Sequence, residues 1–192
     1  NKMVYQDNIL RIPGILLKKL YNYRLAGIFH PIATKIIKSW KLDIIHVQTE
    51  GGVGMYGRIL PIQLKIPLVY TYHTMYVDYT YYVTKGVLDQ SVKSIVKKVS
   101  KVLSESCDEF ITPSEKTKDA LRGYGVERYI NVVPNGIDLD KFERNEINEQ
   151  RIKKYRKEND LEDTTILLSL GRVAEEKSID VLIKGYSLFL AK

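Results

Sequence analysis

The sequence predicts an α/β protein built on parallel sheets with right-handed crossovers. Strand-like and helix-like segments alternate along the chain, and the strand-like segments are short apolar runs, as in strands covered on both faces. Apolar residues make up 44% of the 192 residues, which excludes a disordered chain. The single cysteine, Cys107, excludes an intrachain disulfide and is typical of a reducing compartment. No apolar run reaches the roughly 18 residues of a transmembrane helix.

The first half of the chain predicts strands and helices in turn. NILRI (8–12) is strand-like, and PIATKIIKSW is a helix with Pro31 in its first turn. The predicted strand DIIHVQ (43–48) is followed by a Gly-rich turn, a helix that runs to about Lys65 and the strand PLVYTY (67–72). After a Tyr-rich loop, a helix is predicted from about Leu88 to Ser106. Its spacing puts lysines on one face and an apolar set on the other: Val92, Ile95, Val96, Val99 and Leu103.

The second half continues the alternation. Strands are predicted at 109–112, 129–133 and 166–170, and helices after Ser114, at about 148–158 and from about Ser178. Ser114 has the side chain of a helix N-cap, and Gly123 is a helix stop.

The carboxyl ends of the predicted strands carry small and polar residues. In open parallel sheets, ligands bind beyond these ends. The predicted strand ends are Thr49-Glu50, His73-Thr74, Pro113-Ser114-Glu115, Asn135-Gly136 and Gly171-Arg172. We therefore expect a cleft at this edge.

Two cations flank the joint between the last predicted strand and the last helix. Arg172 and Lys177 are five residues apart, beside the free N–H groups expected at a helix N-terminus. Such an arrangement favours a diphosphate. The alternative is an ordinary strand–turn–helix joint that binds nothing.

The net charge of +7 is local. Residues 8–42 carry seven cations and no acid, whereas the rest of the chain has 23 cations and 23 acids. Local basicity indicates one anionic partner surface, and we predict a membrane surface. The predicted membrane-contact cations are Lys18, Lys19, Arg24, Lys35, Lys38 and Lys41, beside apolar residues between Ile15 and Phe29. The alternative is an amphipathic element packed on the sheet with its lysines in water.

The order of motifs resembles glycosyltransferase family 4, whose members have the two-domain GT-B fold. The matching stretches are DIIHVQTE, IPLVYTYHTMYVDYTYYVTKG, FITPSEKTKDALRGYGV, VVPNGIDLDKF and LLSLGRVAEEKSIDVLIKGY, which span roughly 43–186. PSE, PNGID and GR-x4-K are general to the superfamily. The Tyr-rich HTMY-x-DYT-x-Y is more specific, and it is similar to bacterial glycolipid synthases that glucosylate diacylglycerol.

The resemblance implies a division of the chain. Residues 1–143 would be a partial acceptor-binding Rossmann-like domain, 144–159 a linker helix and 160–192 the beginning of the nucleotide-sugar donor domain. The chain starts at Asn1, and its last helical pattern reaches Lys192, so we expect it to be part of a longer protein. The family's amino-terminal Gly-rich loop and its later E-x7-E element lie outside this sequence. We therefore expect residues 1–192 alone to be inactive.

The resemblance also implies a function. It predicts a retaining hexosyltransferase that moves glucose from UDP-glucose to diacylglycerol, peripheral on the cytoplasmic face of the plasma membrane. Arg172 and Lys177 would neutralise the departing diphosphate, and His73 would contact the donor sugar as the catalytic candidate. The alternative for His73 is a packed or solvated side chain at a strand end. The sequence shows no Asp-x-Asp or His/Cys cluster, so neither a metal nor any cofactor beyond the nucleotide sugar is predicted.

Further residues are candidates for the cleft. Asn135 and Gly136 would let a loop approach the ligand, although an ordinary turn also explains the pair. Ser114 is at the same edge, but a capping role accounts for it. Glu50, Tyr76 and Tyr79 are acceptor-side candidates, and core packing is the alternative for the tyrosines.

Three alternatives to this function stay open. One is a family-4 transferase with another lipid-linked or cell-wall acceptor. The others are catalytically inactive fragments that bind membrane or nucleic acid. Confinement of the positive charge to 8–42 and the lack of an RNA- or DNA-binding motif argue against nucleic acid.

Overall fold

A computed structural model describes residues 3–17, 23–77, 89–173 and 177–191. The chain divides into two compact units, Asn1–Gly136 and Ile137–Lys192. The division into domains at 143 and 159 stays a prediction.

The first unit opens with two antiparallel hairpins. Strand β1 (Val4–Gln6) pairs with β2 (Ile9–Arg11), and β3 (Gly14–Leu17) pairs with β4 (Tyr23–Ala26). Asp7 and Asn8 connect β1 to β2 with φ of 52° and 60°, the positive values that a tight two-residue hairpin turn requires. The strand predicted at 8–12 is confirmed, with an antiparallel partner that the sequence pattern did not predict.

A four-stranded parallel sheet forms the centre of the first unit. Its order is β5 (Ile45–Val47), β6 (Leu68–Thr71), β7 (Glu109–Thr112) and β8 (Asn131–Val132). All three pairings are parallel, so the carboxyl ends of the four strands lie at one edge. The predicted α/β class and these four strands are confirmed.

Helices connect the strands as predicted. They are α1 (Pro31–Ser39), α2 (Gly52–Leu64), α3 (Asp89–Glu105) and α4 (Glu115–Gly123). Ser114 caps α4, because its Oγ accepts a hydrogen bond of 3.2 Å from the Thr117 N–H. The predicted capping role is confirmed.

Two apolar clusters stabilise this unit. The larger one packs sheet residues against α3 and α4: Val47, Leu68, Tyr70, Tyr72, Leu103, Phe110, Leu121, Val126 and Ile130. The smaller one joins α1 to α2 through Ala33, Ile37, Tyr56 and Leu60. Both clusters pack against α2 or the sheet. They therefore fix the positions of the strand ends, and the predicted cleft residues directly follow these ends.

The predicted faces of α3 were partly wrong. Leu103 is buried as expected, but Ile95 is 60% exposed and Val99 is also exposed. Ser100 and Ser104 are buried instead. Ser100 Oγ lies 3.2 Å from the hydroxyl of the buried Tyr72, so a polar contact in the core sets the rotation of this helix.

The second unit contains a 3₁₀ turn (Leu139–Phe142), α5 (Glu146–Glu158) and α6 (Ile179–Leu190). Both predicted helices are confirmed. The strand predicted at 166–170 is wrong, since no described residue of this unit forms a strand and Leu170 is 92% exposed. A strand forms only when a neighbour takes up its backbone hydrogen bonds, and the described part of this unit offers none.

Gly54 provides a test of the packing at the start of α2. A Cβ at this position would lie 1.7 Å from the carbonyl oxygen of Thr49, so Gly54→Ala must displace backbone. In the full-length protein we expect Gly54→Ala to lower the free energy of unfolding by about 1–3 kcal/mol or more, measured by denaturant titration. The matched control is Gly123→Ala, also helical, where nothing lies within 4 Å. Equal stability of the two variants would contradict the close approach.

Candidate active site

His73 lies just beyond the carboxyl end of β6 and is exposed. Its Nε2 is 3.1 Å from Oε1 of Gln48, which follows the adjacent strand β5. An amide oxygen only accepts, so Nε2 donates in this contact. The contact fixes the ring at the edge where the cleft was predicted.

His46 lies on β5 two residues before Gln48, so the two side chains are on the same face. Its Nε2 is 2.7 Å from Oγ1 of Thr71 on β6. Burial, and next the neighbouring His73, lower the pKa of His46. The lowered pKa favours the neutral imidazole of His46 at pH 7.

Glu50 follows β5 and accepts two tyrosine hydroxyls. The hydroxyl of Tyr70 donates to Oε1 at 2.5 Å, and that of Tyr76 donates to Oε2. Burial first, and the hydrogen bond to Glu50 second, raise the pKa of both tyrosines. Both phenols thus remain protonated donors around neutral pH. Two of the three predicted acceptor-side candidates, Glu50 and Tyr76, are brought together.

Beneath this group, Arg58 of α2 is buried at 7% exposure. Its guanidinium carbon lies 4.0 Å from the centre of the Tyr70 ring, a cation–π contact. Its Nη1 donates to the Leu103 carbonyl at 3.0 Å and to Ser106 Oγ at 3.2 Å. Arg58 therefore joins α2, β6 and the end of α3.

Sequence reasoning missed four residues of this edge: His46, Gln48, Arg58 and Tyr70. Two signals in the sequence pointed to three of them. His46 and Gln48 alternate within a predicted strand, so they share a face. Arg58 interrupts the otherwise apolar helix GVGMYGRILPIQL, which is typical of a buried cation with specific partners.

In the second unit, Lys177 directly precedes Ser178, the N-cap residue of α6. A Cβ placed on Gly171 would lie 3.9 Å from Cδ of Lys177, so the lysine stem runs beside the residue that precedes Arg172. Lys177 thus lies next to the start of α6 and beside Gly171, although the strand expected before the two cations does not form. Their role in binding a diphosphate stays a prediction.

The remaining candidates are scattered. Asn135 and Gly136 lie in an exposed loop after β8, and nothing is within 4 Å of a Cβ built on Gly136, so no protein contact there requires glycine. Arg24, Lys35, Lys38 and Lys41 are exposed. Tyr79, Lys18 and Lys19 lie outside the described residues.

Two features are absent from the described residues. Across 3–17, 23–77, 89–173 and 177–191, no three His, Cys, Asp or Glu side chains are grouped so that they could hold a metal ion. In the same ranges, no helix combines the length and the apolar character needed to cross a membrane.

Comparison with known sequences identifies the family. The sequence model of glycosyltransferase family 4 matches residues 2–141, which is most of the chain. The chain belongs to glycosyltransferase family 4. This confirms the resemblance seen in the motifs, and the four-stranded parallel sheet fits the Rossmann-like amino-terminal domain of the GT-B fold.

Two curated relatives share one name, alpha-monoglucosyldiacylglycerol synthase. The protein of Streptococcus pneumoniae (strain ATCC BAA-255 / R6) is 38% identical over 185 residues, covering 95% of this chain. That of Acholeplasma laidlawii is 27% identical over 195 residues, covering 98%. The match spans only 42% and 49% of these relatives, so the chain is similar to less than half of each.

The pair of histidines in this family-4 chain generates a prediction about proton binding. In the full-length protein, NMR titration should give His46 a pKa below the ordinary value of about 6.5. In His73→Gln, the His46 pKa should rise because one cause of its lowering is removed. It should stay below the ordinary value, because burial remains the larger cause. An unchanged His46 titration in His73→Gln would contradict the electrostatic contact.

Proposed function

We propose that the full-length protein is a retaining hexosyltransferase that transfers glucose from UDP-glucose to the hydroxyl of diacylglycerol. The observation that supports this most is the polar edge formed by Gln48, His73 and Glu50 in a family-4 chain. The lipid product is suggested by the name of the two relatives. Another lipid-linked or cell-wall acceptor is the second acceptor class that the assay should include.

Each proposed residue has a distinct task. His73 contacts the donor sugar through the exposed side of its ring. Arg172 and Lys177 neutralise the diphosphate as the bond from the sugar C1 to the phosphate oxygen breaks. The acceptor oxygen bonds to C1 on the same face, and its proton passes to the departing phosphate oxygen. No metal and no covalent nucleophile takes part in this proposal.

The acceptor lipid requires the protein to reach a bilayer. We propose peripheral binding to the cytoplasmic face of the plasma membrane through the acid-free segment 8–42. Ile15, Phe29 and Ile32 are exposed apolar side chains of this segment, and Lys35 and Lys38 are exposed cations on α1. This combination is typical of a surface that lies in the membrane interface.

The diphosphate assignment is tested by Arg172→Ala and Lys177→Ala in the full-length protein. Each change removes a charge-assisted contact worth about 1.5–3 kcal/mol, which is roughly 10- to 150-fold in kcat/KM. The measurement is transfer of radiolabelled glucose from UDP-glucose into diacylglycerol. The control is Lys184→Ala, an exposed lysine of α6 that pairs with Asp180 at 3.8 Å. Near wild-type kcat/KM in both test variants would reject the assignment.

The membrane surface is tested by the double variant Lys35→Glu with Lys38→Glu. Each cation near an anionic bilayer contributes about 1 kcal/mol, so the loss of two should weaken vesicle binding roughly 30-fold or more. Co-sedimentation of the full-length protein with anionic vesicles measures this, and the binding should also fall with added salt.

The matched control is Lys154→Glu with Lys157→Glu. It has the same charge change and residue spacing on α5, where both lysines are exposed. Equal binding by both double variants, or equal binding of wild type to neutral vesicles, would contradict a local electrostatic surface.

A further inference from the structure

Glu50 connects a rigid part of the core to a segment at the cleft. On the core side its partner is Tyr70, which is fully buried. The Tyr70 ring stacks on Phe110 with centroids 5.4 Å apart, and Arg58 lies 4.0 Å from its centroid. The position of the Tyr70 hydroxyl is therefore fixed by packing.

On the other side, Glu50 holds Tyr76, three residues after His73. The Tyr76 ring lies edge-on to Tyr72 at 6.1 Å, and its N–H donates to the Thr74 carbonyl at 2.9 Å. This hydrogen bond closes a tight turn from Thr74 to Tyr76, which directly follows the exposed His73. A side chain that holds Tyr76 restricts the whole turn.

We propose that Glu50 is a positioning residue: by joining Tyr70 to Tyr76 it holds segment 73–76 against the sheet edge and so places His73. This inference deepens the proposed function and rests on it for its effect on the reaction. It gives Glu50 and Tyr76 a task in fixing the donor side of the cleft. Gln48 supplies a second hold on the same segment, through the His73 ring.

A carboxylate suits this task because it offers two acceptor oxygens and no donor. Each oxygen takes one hydroxyl in this structure. Both tyrosines stay protonated around neutral pH, so both contacts persist. Glutamine keeps the shape of the side chain but has one acceptor oxygen and no charge, so Glu50→Gln can no longer accept from both hydroxyls and loses the charge that strengthens the contacts, with little change in volume.

The structural test is hydrogen exchange at the Tyr76 amide, which donates within the turn. In the full-length protein, Glu50→Gln and Tyr76→Phe should each speed exchange there roughly tenfold or more, because a hydrogen bond to a charged group is lost. Tyr129→Phe is the matched control, since Tyr129 belongs to the same unit and is 74% exposed. Unchanged exchange in both test variants would overturn the proposal.

The kinetic test separates positioning from direct contact with the acceptor. Glu50→Gln and Tyr76→Phe should each lower kcat roughly 10- to 150-fold and leave the acceptor KM within about twofold. The double variant should be no slower than the slower single variant, because both changes break one connection. A raised acceptor KM with kcat retained, or effects that multiply in the double variant, would overturn the proposal.

If the proposed function fails, the results differ from those expected if the inference about Glu50 fails. If the wild-type protein transfers no sugar to any lipid, the assigned activity is wrong. The exchange measurement still decides whether Glu50 holds segment 73–76.

Discussion

The parallel pairing of β5 with β6 determines where the candidate residues that follow these two strands lie. Ile45 is opposite Leu68 and Val47 is opposite Tyr70, so the two strands end at nearly the same level. The chain segments that follow then run side by side. Residues 48 and 50 reach those that follow β6 because of this register, and a shift by one residue would turn the side chains to the opposite face.

Below that edge, the burial of Arg58 is energetically unfavourable. Arg58 is buried without a carboxylate partner among the described residues, and its Nε and Nη2 atoms have no hydrogen-bond partner there. Leaving such groups unpaired is unfavourable, and the cost is partly offset by the Tyr70 stack and by two hydrogen bonds from Nη1. An arginine suits this place better than a lysine, because its planar, weakly hydrated group can stack and donate at once. The contact with Arg58 helps to fix the Tyr70 ring, and the arrangement of Glu50 depends on the position of that ring.

The two units differ in how many of their apolar side chains are buried. In the first, the sheet is covered and Tyr70, Phe110 and Leu121 are fully buried. In the second, Leu168 and Leu170 are as apolar as a buried strand but more than 80% exposed, and α6 exposes Phe189. Helix α6 still forms because a helix satisfies its own backbone hydrogen bonds, whereas a strand depends on a partner.

The sequence by itself determined most elements of this chain and its family. Periodicity placed α1, α2, β5 to β8 and the Ser114 cap, since these depend on local spacing and on side chains near in sequence. Motif order identified glycosyltransferase family 4 and singled out His73, Glu50 and Tyr76. Only the tertiary structure decided that Glu50 holds both Tyr70 and Tyr76, that Gln48 holds His73, and that α3 turns its serines inward. Those contacts join residues 20 to 28 positions apart, and pairings at such separations follow from strand register and core packing, which local patterns do not specify.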